Sequence, residues 1–384
     1  MGAIAPVGAR NAREVDDVSA VRQPDVANLL TAAAVGDNDR RGNYLEFLGR
    51  HAEERNDLSL DMSRRVRFRV VDSRNRNVND AQIELFANGS NTDERVGRGR
   101  SHMDGGWDWF PSLRRSGNGV EGPVTVRVHA GDFEASAEFV LPATGDVRDT
   151  VTVHLPGEVD SHVRVLDLGF LIDVTGSMGD ELRYVNREVT HIVERIEAAV
   201  PQTRVRVGAV FYRDRTDETN VERIQFTGDT QSFARDMQRV VAMGGGDYPE
   251  DMNAGLDAAM NQLGWSDGNA SDRVLVVIAD APPQHYSDEQ FTWHEAIDTA
   301  SQRGIRMVPV AASGADRNVE YLFRAMGAAT STPYVYLTDD SGVGAPHLAA
   351  DTDHVTVEHF ADLLSRLVIS DLQGAGMHEP GAQG

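Results

Sequence analysis

The chain has 384 residues, enough for two or three domains, and none of its apolar runs is long enough to span a membrane. The formal net charge of -23 argues against nucleic acid or anionic lipid as a partner, because an acidic surface repels both. The chain has no cysteine, which excludes disulfides, thiolate metal sites and cysteine nucleophiles.

The N-terminal residues 1–61 are expected to form a short helical segment. The opening "MGAIAPVGARNAREVDD" lacks the basic start and the sustained apolar stretch of a secretory signal, so we expect a cytoplasmic protein, with export by an unrecognised route left open. In "PDVANLLTAAAV", Pro24 suits a first helical position, and Val26, Leu29 and Leu30 recur at helical spacing. A second helix is predicted over "NYLEFLGRHAEE".

Residues 62–160 are predicted to form an antiparallel β-sandwich. In "RRVRFRVVD", Val66, Phe68 and Val70 alternate with arginine as in a half-buried strand, and further short strands follow between turn signals. Trp107 and Trp109 could form a carbohydrate platform, but we favour a structural role, in which alternating aromatics on a strand serve one core face and one rim. The segments "VRFRVVDSRNRNVNDAQIELF" and "DGGWDWFP" resemble carboxypeptidase-regulatory-like modules, and this resemblance implies the same β-sandwich fold.

Strands and helices alternate over residues 161–370. The segments "HVRVLDLGFLID" and "RVLVVIAD" are almost continuously apolar, as expected when both faces of a parallel sheet are covered. The alternation predicts a doubly wound, mostly parallel, Rossmann-like α/β domain. The Gly-rich tail, residues 371–384, is predicted to be disordered.

Polar residues follow two of the predicted buried strands. Asp173 ends the first apolar strand and Asp280 ends the later one, and Thr175 and Ser177 alternate after Asp173. Ligands of open parallel sheets bind beyond the carboxyl ends of the strands, so these oxygens are expected to lie together. Carboxylates and hydroxyls suit a hard divalent cation such as Mg²⁺, or Mn²⁺ or Ca²⁺. A plainer interpretation is that Ser177 only caps the following helix.

The string "DVTGSM" at a strand end resembles the metal-ion-dependent adhesion site of von Willebrand factor type A domains. "VVIADAPP", "VPVAASG" and "LTDDSGVG" resemble later segments of bacterial members of that family, in the same order. The resemblance implies that Asp173, Thr175 and Ser177 form the first metal loop and that Asp280 forms the third. In the second loop, "GGGDYPEDM", Gly246 stands where a metal-binding threonine is expected, so Asp247 is the substitute candidate.

The resulting hypothesis is a non-enzymatic adhesion or interaction module whose bound cation takes a carboxylate from a protein partner. Two alternatives stay open: a structural or assembly scaffold with an idle or stabilising metal site, and a Mg²⁺-dependent phosphohydrolase. The phosphohydrolase is disfavoured, because Thr175 holds the position of the usual second carboxylate and the chain has no lysine to bind phosphate. Asp214, at the end of the second strand of this domain, could support the metal ligands without touching the cation, or it could pair with a neighbouring arginine. The sequence makes no prediction of the oligomeric state.

Overall fold

The computed structural model describes residues 30–53, 58, 61–87, 94–113, 119–246, 248–341 and 346–380. In the order of the chain, the described strands are β1 (Thr31–Val35), β2 (Val66–Val71), β3 (Gln82–Ala87), β4 (Glu94–Arg100), β5 (Gly106–Trp109), β6 (Gly122–Ala130), β7 (Phe133–Leu141), β8 (Val151–His154), β9 (Val165–Asp173), β10 (Arg204–Tyr212), β11 (Val221–Thr227), β12 (Ser271–Ala279), β13 (Ile305–Ala311), β14 (Tyr334–Leu337) and β15 (Val357–His359). The α-helices are α1 (Arg41–Arg50), α2 (Gly179–Ala199), α3 (Thr230–Met237), α4 (Met252–Asn261), α5 (Trp293–Arg303), α6 (Arg317–Ala329) and α7 (Phe360–Leu372).

An eight-stranded sheet in the order β11-β10-β9-β12-β13-β14-β1-β15 forms the centre of the larger domain. The five strands from β10 to β14 are mutually parallel, whereas β11 and β1 run antiparallel to their neighbours. Helices α2, α3 and α7 pack on one face, and α1, α4, α5 and α6 pack on the other. Successive residues of β9 alternate between the two cores, with Phe170 and Ile172 in one and Leu171 in the other. The α/β prediction is therefore confirmed.

The N-terminal strand β1 corrects the predicted helix over "PDVANLLTAAAV". Residues 24–29 lie outside the described residues, and Thr31–Val35 pairs with β14 on one side and with β15 on the other. Ala32, Ala33, Ala34 and Val35 are all buried, so sheet pairing and burial override the helical preference of alanine. The second predicted helix is present as α1.

The strands of residues 62–160 form two sheets. Strands β4-β3-β6-β7 form the predicted antiparallel sheet, and β5-β2-β8 form a smaller one. The prediction of purely antiparallel pairing is wrong for β2 and β8, which are parallel, because β8 returns to β2 from far along the chain. Both sheets contribute to one hydrophobic core. Trp107 and Trp109 are both buried in it, with 2% and 3% exposure, so both have the favoured structural role and neither lies at a rim.

The predicted disorder of residues 371–384 is wrong over residues 371–380, and residues 381–384 lie outside the described residues. Met377 is buried, and the Glu379 carboxylate accepts a 2.9 Å hydrogen bond from the Gly36 N–H and pairs with Arg40. These contacts attach the tail beside β1, which a reading of composition alone does not reveal. Among the described helices, none combines the length and the apolar character needed to cross a bilayer.

Candidate metal centre

The candidate site lies where the strand order of the large sheet reverses. From β9 the chain adds β10 on one side, and it later adds β12 on the other side. Asp173 is the last residue of β9, and Asp280 directly follows β12. Both carboxylates therefore lie at the crevice where open α/β sheets bind ligands, as the sequence predicts.

The loop after β9 turns its hydroxyls and its backbone toward Asp173. Thr175 donates two hydrogen bonds to Asp173 Oδ1, from its N–H at 2.8 Å and from its hydroxyl at 2.7 Å. Ser177 Oγ lies 3.3 Å from Thr175 Oγ1, and Ser177 also hydrogen-bonds the Asp280 carboxylate. The residue that caps α2 is Met178, without a side-chain hydrogen bond, so Ser177 is not the helix cap of the plainer interpretation. The structure thus brings all four residues together.

Negative charge accumulates at this point. Asp173 is completely buried and Asp280 is 5% exposed. Burial raises the pKa of Asp173 to about 7, the charge of Asp280 raises it too, and the hydrogen bonds from Thr175 oppose the rise. The pKa of Asp280 is likewise raised, mainly by burial. Among the described residues, no arginine or histidine forms an ion pair with either carboxylate.

The second loop supplies a residue that the sequence reasoning missed. Apart from its chain neighbours, Gly246 has no described residue within 4 Å of the position that a Cβ would take, and Asp247 lies outside the described residues. Glu250 is 6% exposed, and a Cβ at Gly245 would lie 2.8 Å from its Oε1 and 3.0 Å from the Thr175 Cβ. The Glu250 carboxylate therefore reaches the same loop as Thr175. The sequence did contain a sign of this role, since Glu250 is an acidic residue just before α4, at the same edge of the sheet.

Backbone contacts hold Glu250 close to the loop that follows Asp280. Its N–H donates to the Pro282 carbonyl at 3.1 Å, and its carbonyl accepts from the Gln284 N–H at 2.7 Å. The charges of Asp173, Asp280 and Glu250 all raise the pKa of the buried Tyr212 hydroxyl, after the larger effect of burial. The three carboxylates thus lie near the Tyr212 hydroxyl, at the edge of the sheet where β9, β10 and β12 end.

Neighbouring polar residues support these loops. Glu181 in the first turn of α2 is fully buried and accepts a hydrogen bond from the Ser313 hydroxyl. Asp214 accepts a 2.7 Å hydrogen bond from Tyr286, and Asp217 accepts a 3.0 Å hydrogen bond from the Gly245 N–H. Asp214 therefore contributes to the loop after β10 rather than to the first metal loop.

The donor set fits a hard cation on chemical grounds. Asp173 Oδ1 has two donors, whereas Asp173 Oδ2 is buried without a well-formed hydrogen bond in the described part of the chain, and the Tyr212 hydroxyl is the polar group that lies close to this carboxylate. Asp173 Oδ2, the hydroxyls of Thr175 and Ser177 and the carboxylate of Asp280 are all oxygen donors, as Mg²⁺ and Mn²⁺ prefer. Three or more histidine, aspartate or glutamate side chains do not converge as a metal-binding group anywhere in the described ranges. The fit therefore depends on the hydroxyls of Thr175 and Ser177.

Comparison with known proteins points to one domain family. Residues 167–345 match a family model for the von Willebrand factor A domain. An ariadne-like RING finger protein of Acanthamoeba polyphaga mimivirus is 29% identical over 162 residues, which cover 38% of this chain and 16% of that protein. An alpha-protein kinase of Dictyostelium discoideum is 26% identical over 159 residues, which cover 41% of this chain and 25% of that protein. The chain thus matches a quarter or less of the length of these relatives.

Among solved structures, a pilus adhesin of Lactobacillus rhamnosus GG is similar over 55% of this chain and 30% of the adhesin, with 13% identity and a TM-score of 0.32. A TM-score of that size supports no argument about fold or function. The match to the family model and the mostly parallel sheet agree with each other, and neither depends on the comparison with the adhesin. Residues 167–345 of this chain therefore resemble a von Willebrand factor A domain in sequence, and the sheet that they form is of the α/β type.

Proposed function

We propose that this domain is a divalent-cation-dependent module for binding a protein partner, without a catalytic role. Von Willebrand factor A domains are generally protein-interaction modules. The observation that supports the cation is the buried Asp173 carboxyl, which lies beside the hydroxyls of Thr175 and Ser177 and has one oxygen without a well-formed hydrogen bond and a pKa raised to about 7. A buried carboxylate of this kind is costly unless a positive charge neutralises it.

In this proposal, Asp173, Thr175, Ser177 and Asp280 hold the cation, with Glu250 on the side of the second loop. The bound ion would act as an electrophile that accepts an oxygen ligand from outside. Mg²⁺ is the first candidate, with Mn²⁺ and Ca²⁺ as alternatives, because all three prefer oxygen ligands. The partner would present a carboxylate as the external ligand.

The number of carboxylates of this domain that touch the ion determines how strongly the ion attracts a carboxylate from the partner. The two hydroxyls are neutral, whereas each carboxylate removes one unit of the cation's positive charge. Glu250 or Asp247 as a direct ligand would therefore weaken capture of a partner's carboxylate relative to a neutral threonine ligand. The identity of the second-loop ligand is thus the main variable of the proposed mechanism.

Glu250→Gln is expected to weaken Mn²⁺ binding at least about tenfold, because it removes a charged oxygen ligand while preserving size and one carbonyl oxygen. Asp247→Asn is the matched control, since it makes the same chemical change three residues earlier. Isothermal titration calorimetry with MnCl₂ on both variants and the wild type measures the effect. Should Asp247→Asn weaken binding and Glu250→Gln leave it unchanged, Asp247 would be the second-loop ligand instead.

Cation-dependent capture tests the proposed binding of a partner. Immobilised wild-type protein is expected to retain a partner with Mg²⁺ present and to release it in EDTA, and immobilised Asp173→Ala is expected to retain none. Equal capture by the wild type and Asp173→Ala, with or without EDTA, would favour the scaffold alternative. In that case the cation would stabilise the domain without taking part in binding.

A further inference from the structure

Three exposed hydrophobic side chains lie in the loop between α3 and α4, beside the candidate cation site. Val241, Met243 and Tyr248 are 58%, 59% and 52% exposed, and we call these three residues the apolar rim. Single exposed hydrophobic residues are ordinary at a protein surface, whereas several together indicate an interaction site. The other exposed large hydrophobic residues of the described ranges lie elsewhere, and they are Leu45, Val140, Val355 and Val357.

Backbone hydrogen bonds hold Val241 and Met243 close to the first metal loop. The Met243 N–H donates to the carbonyl of Val174, the residue that follows Asp173, at 3.0 Å. The Val241 carbonyl accepts a 3.0 Å hydrogen bond from Nη2 of the buried Arg213. The backbone of this segment is therefore anchored, while its two apolar side chains point into solvent beside the candidate cation ligands.

Tyr248 lies on the side of Asp280. Its hydroxyl hydrogen-bonds the carboxylate of Asp316, the residue just before α6. Burial of this hydroxyl is the main cause that raises the pKa of Tyr248, and the charges of Asp316 and Asp280 raise it further. A Cβ at Gly314, in the same loop as Asp316, would lie 3.7 Å from Asp280 Oδ2. The half-exposed Tyr248 side chain is thus held near the carboxylate that follows β12.

The chain between Met243 and Tyr248 contains three consecutive glycines, residues 244–246. The Gly244 carbonyl accepts a 3.1 Å hydrogen bond from the Gly176 N–H, so this segment adjoins the first metal loop. A Cβ at Gly246 would have no described residue within 4 Å apart from its chain neighbours. A partner segment can therefore approach the cation site over glycine backbone while its side chains reach the apolar rim.

The charges around the apolar rim are mostly negative. Asp217 accepts a hydrogen bond within the glycine segment, and Asp316 accepts one from Tyr248. The arginines of the loop after β10, Arg213 and Arg215, each form an ion pair with a carboxylate. A segment with several acidic residues is therefore repelled, whereas a single carboxylate is attracted once the cation is bound. This pattern favours one acidic residue among uncharged and apolar neighbours.

We propose that the apolar rim selects the protein partner of the cation site. The partner presents one aspartate or glutamate to the cation and a neighbouring leucine, isoleucine, methionine or phenylalanine to Val241, Met243 and Tyr248. The inference rests on the proposed function, because it specifies the partner of that same site. Removal of one large apolar side chain from water is enough to change an affinity about tenfold or more.

Selection from a random peptide library displayed on phage tests this proposal. The library is incubated with immobilised wild-type protein in MgCl₂, and peptides whose binding depends on the cation are eluted with EDTA. We expect the eluted peptides to combine one aspartate or glutamate with a large apolar residue close to it in the sequence. Replacing the acidic residue of an enriched peptide with its amide is expected to abolish binding.

The double variant Val241→Ser with Met243→Ser removes two side chains of the apolar rim at exposed positions and leaves the candidate cation ligands unchanged. It is expected to bind the enriched peptides at least about tenfold more weakly than the wild type, whereas calorimetry should show unchanged Mn²⁺ affinity. Val140→Ser with Val355→Ser is the matched control, because these residues are 67% and 53% exposed and lie outside the rim. The control is expected to bind the peptides as the wild type does.

Two results would overturn the rim proposal and leave the proposed function standing. One is a set of EDTA-eluted peptides with an acidic residue but no apolar neighbour, and the other is equal affinity of the enriched peptides for the wild type and the rim variant. Equal weakening by the control would also overturn it, since it would indicate general apolar attraction. If the wild type enriches no more peptide than Asp173→Ala does, cation-dependent binding itself fails, and both proposals are overturned.

Discussion

Replacing Asp173 with asparagine is expected to abolish binding of Mg²⁺ and Mn²⁺ and to stabilise the cation-free protein at pH 8. The substitution removes the charge of a completely buried carboxyl whose pKa is raised to about 7, and it keeps an oxygen that can accept the hydrogen bonds from Thr175. A rise from 3.8 to about 7 corresponds to a cost of up to about 4 kcal/mol when the group is ionised in the folded state.

The pH dependence of stability follows from the direction of this shift. Because the folded-state pKa lies above the unfolded value, the cation-free wild type loses stability as the pH rises from about 4 to about 7, whereas Asp173→Asn does not lose this contribution. Apparent Mn²⁺ affinity of the wild type should fall as the pH drops below 7, since protons compete for Asp173. Urea unfolding in EDTA and calorimetry at several pH values measure both effects. Lower stability of Asp173→Asn than of the wild type at pH 8 would contradict the account.

Replacing Arg324 with alanine is expected to destabilise the protein by about 3–5 kcal/mol, because it leaves a buried carboxylate without its cation. Arg324 and Asp37 have side chains that are each 2% exposed, with 2.5 Å between Nη2 and Oδ1. The Arg324 guanidinium carbon also lies 3.8 Å from the centre of the Phe47 ring. This contact joins α6 to the segment between β1 and α1.

Urea-induced unfolding of Arg324→Ala measures this cost. Arg195→Ala is the matched control, since Arg195 pairs with Asp362 at the surface, where both side chains are more than 40% exposed. An exposed pair contributes about 0–1 kcal/mol, so the control should unfold close to the wild type. Equal effects of the two substitutions would mean that the N-terminal segment is not anchored through Arg324.

The α/β part of the fold could be predicted because its signals are local. Continuous apolar runs mark β9 and β12, and helical periodicity marks α2, whose buried residues include Leu182, Val185 and Val189. The failures occurred where distant contacts decide the structure. The alanine-rich β1 is a strand because β14 and β15 pair with it, and β8 is parallel to β2 because the chain crosses back. A single strand's pattern contains neither fact.

The candidate site shows the same difference between residues marked by local sequence signals and residues placed by distant contacts. Asp173, Thr175, Ser177 and Asp280 could be predicted, because a parallel sheet brings the carboxyl ends of its strands together. Glu250 could not be assigned by matching a motif position, because its proximity to Thr175 depends on the course of the Gly244–Gly245 turn. Both glycines have positive φ, at 77° and 65°, and a Cβ at Gly244 would lie 2.2 Å from Asp217 Oδ1. The turn therefore requires glycine, and it leaves room for the Glu250 carboxylate.

Anomalous diffraction from crystals grown with MnCl₂ tests the central claim, cation binding at the sheet edge, most directly. We expect an anomalous peak among the oxygens of Asp173, Thr175, Ser177 and Asp280, with Glu250 on the side of the second loop. The peak should be missing from crystals of Asp173→Asn grown under the same conditions. Well-ordered wild-type crystals with no peak among these residues, or with a peak that persists in Asp173→Asn, would contradict it.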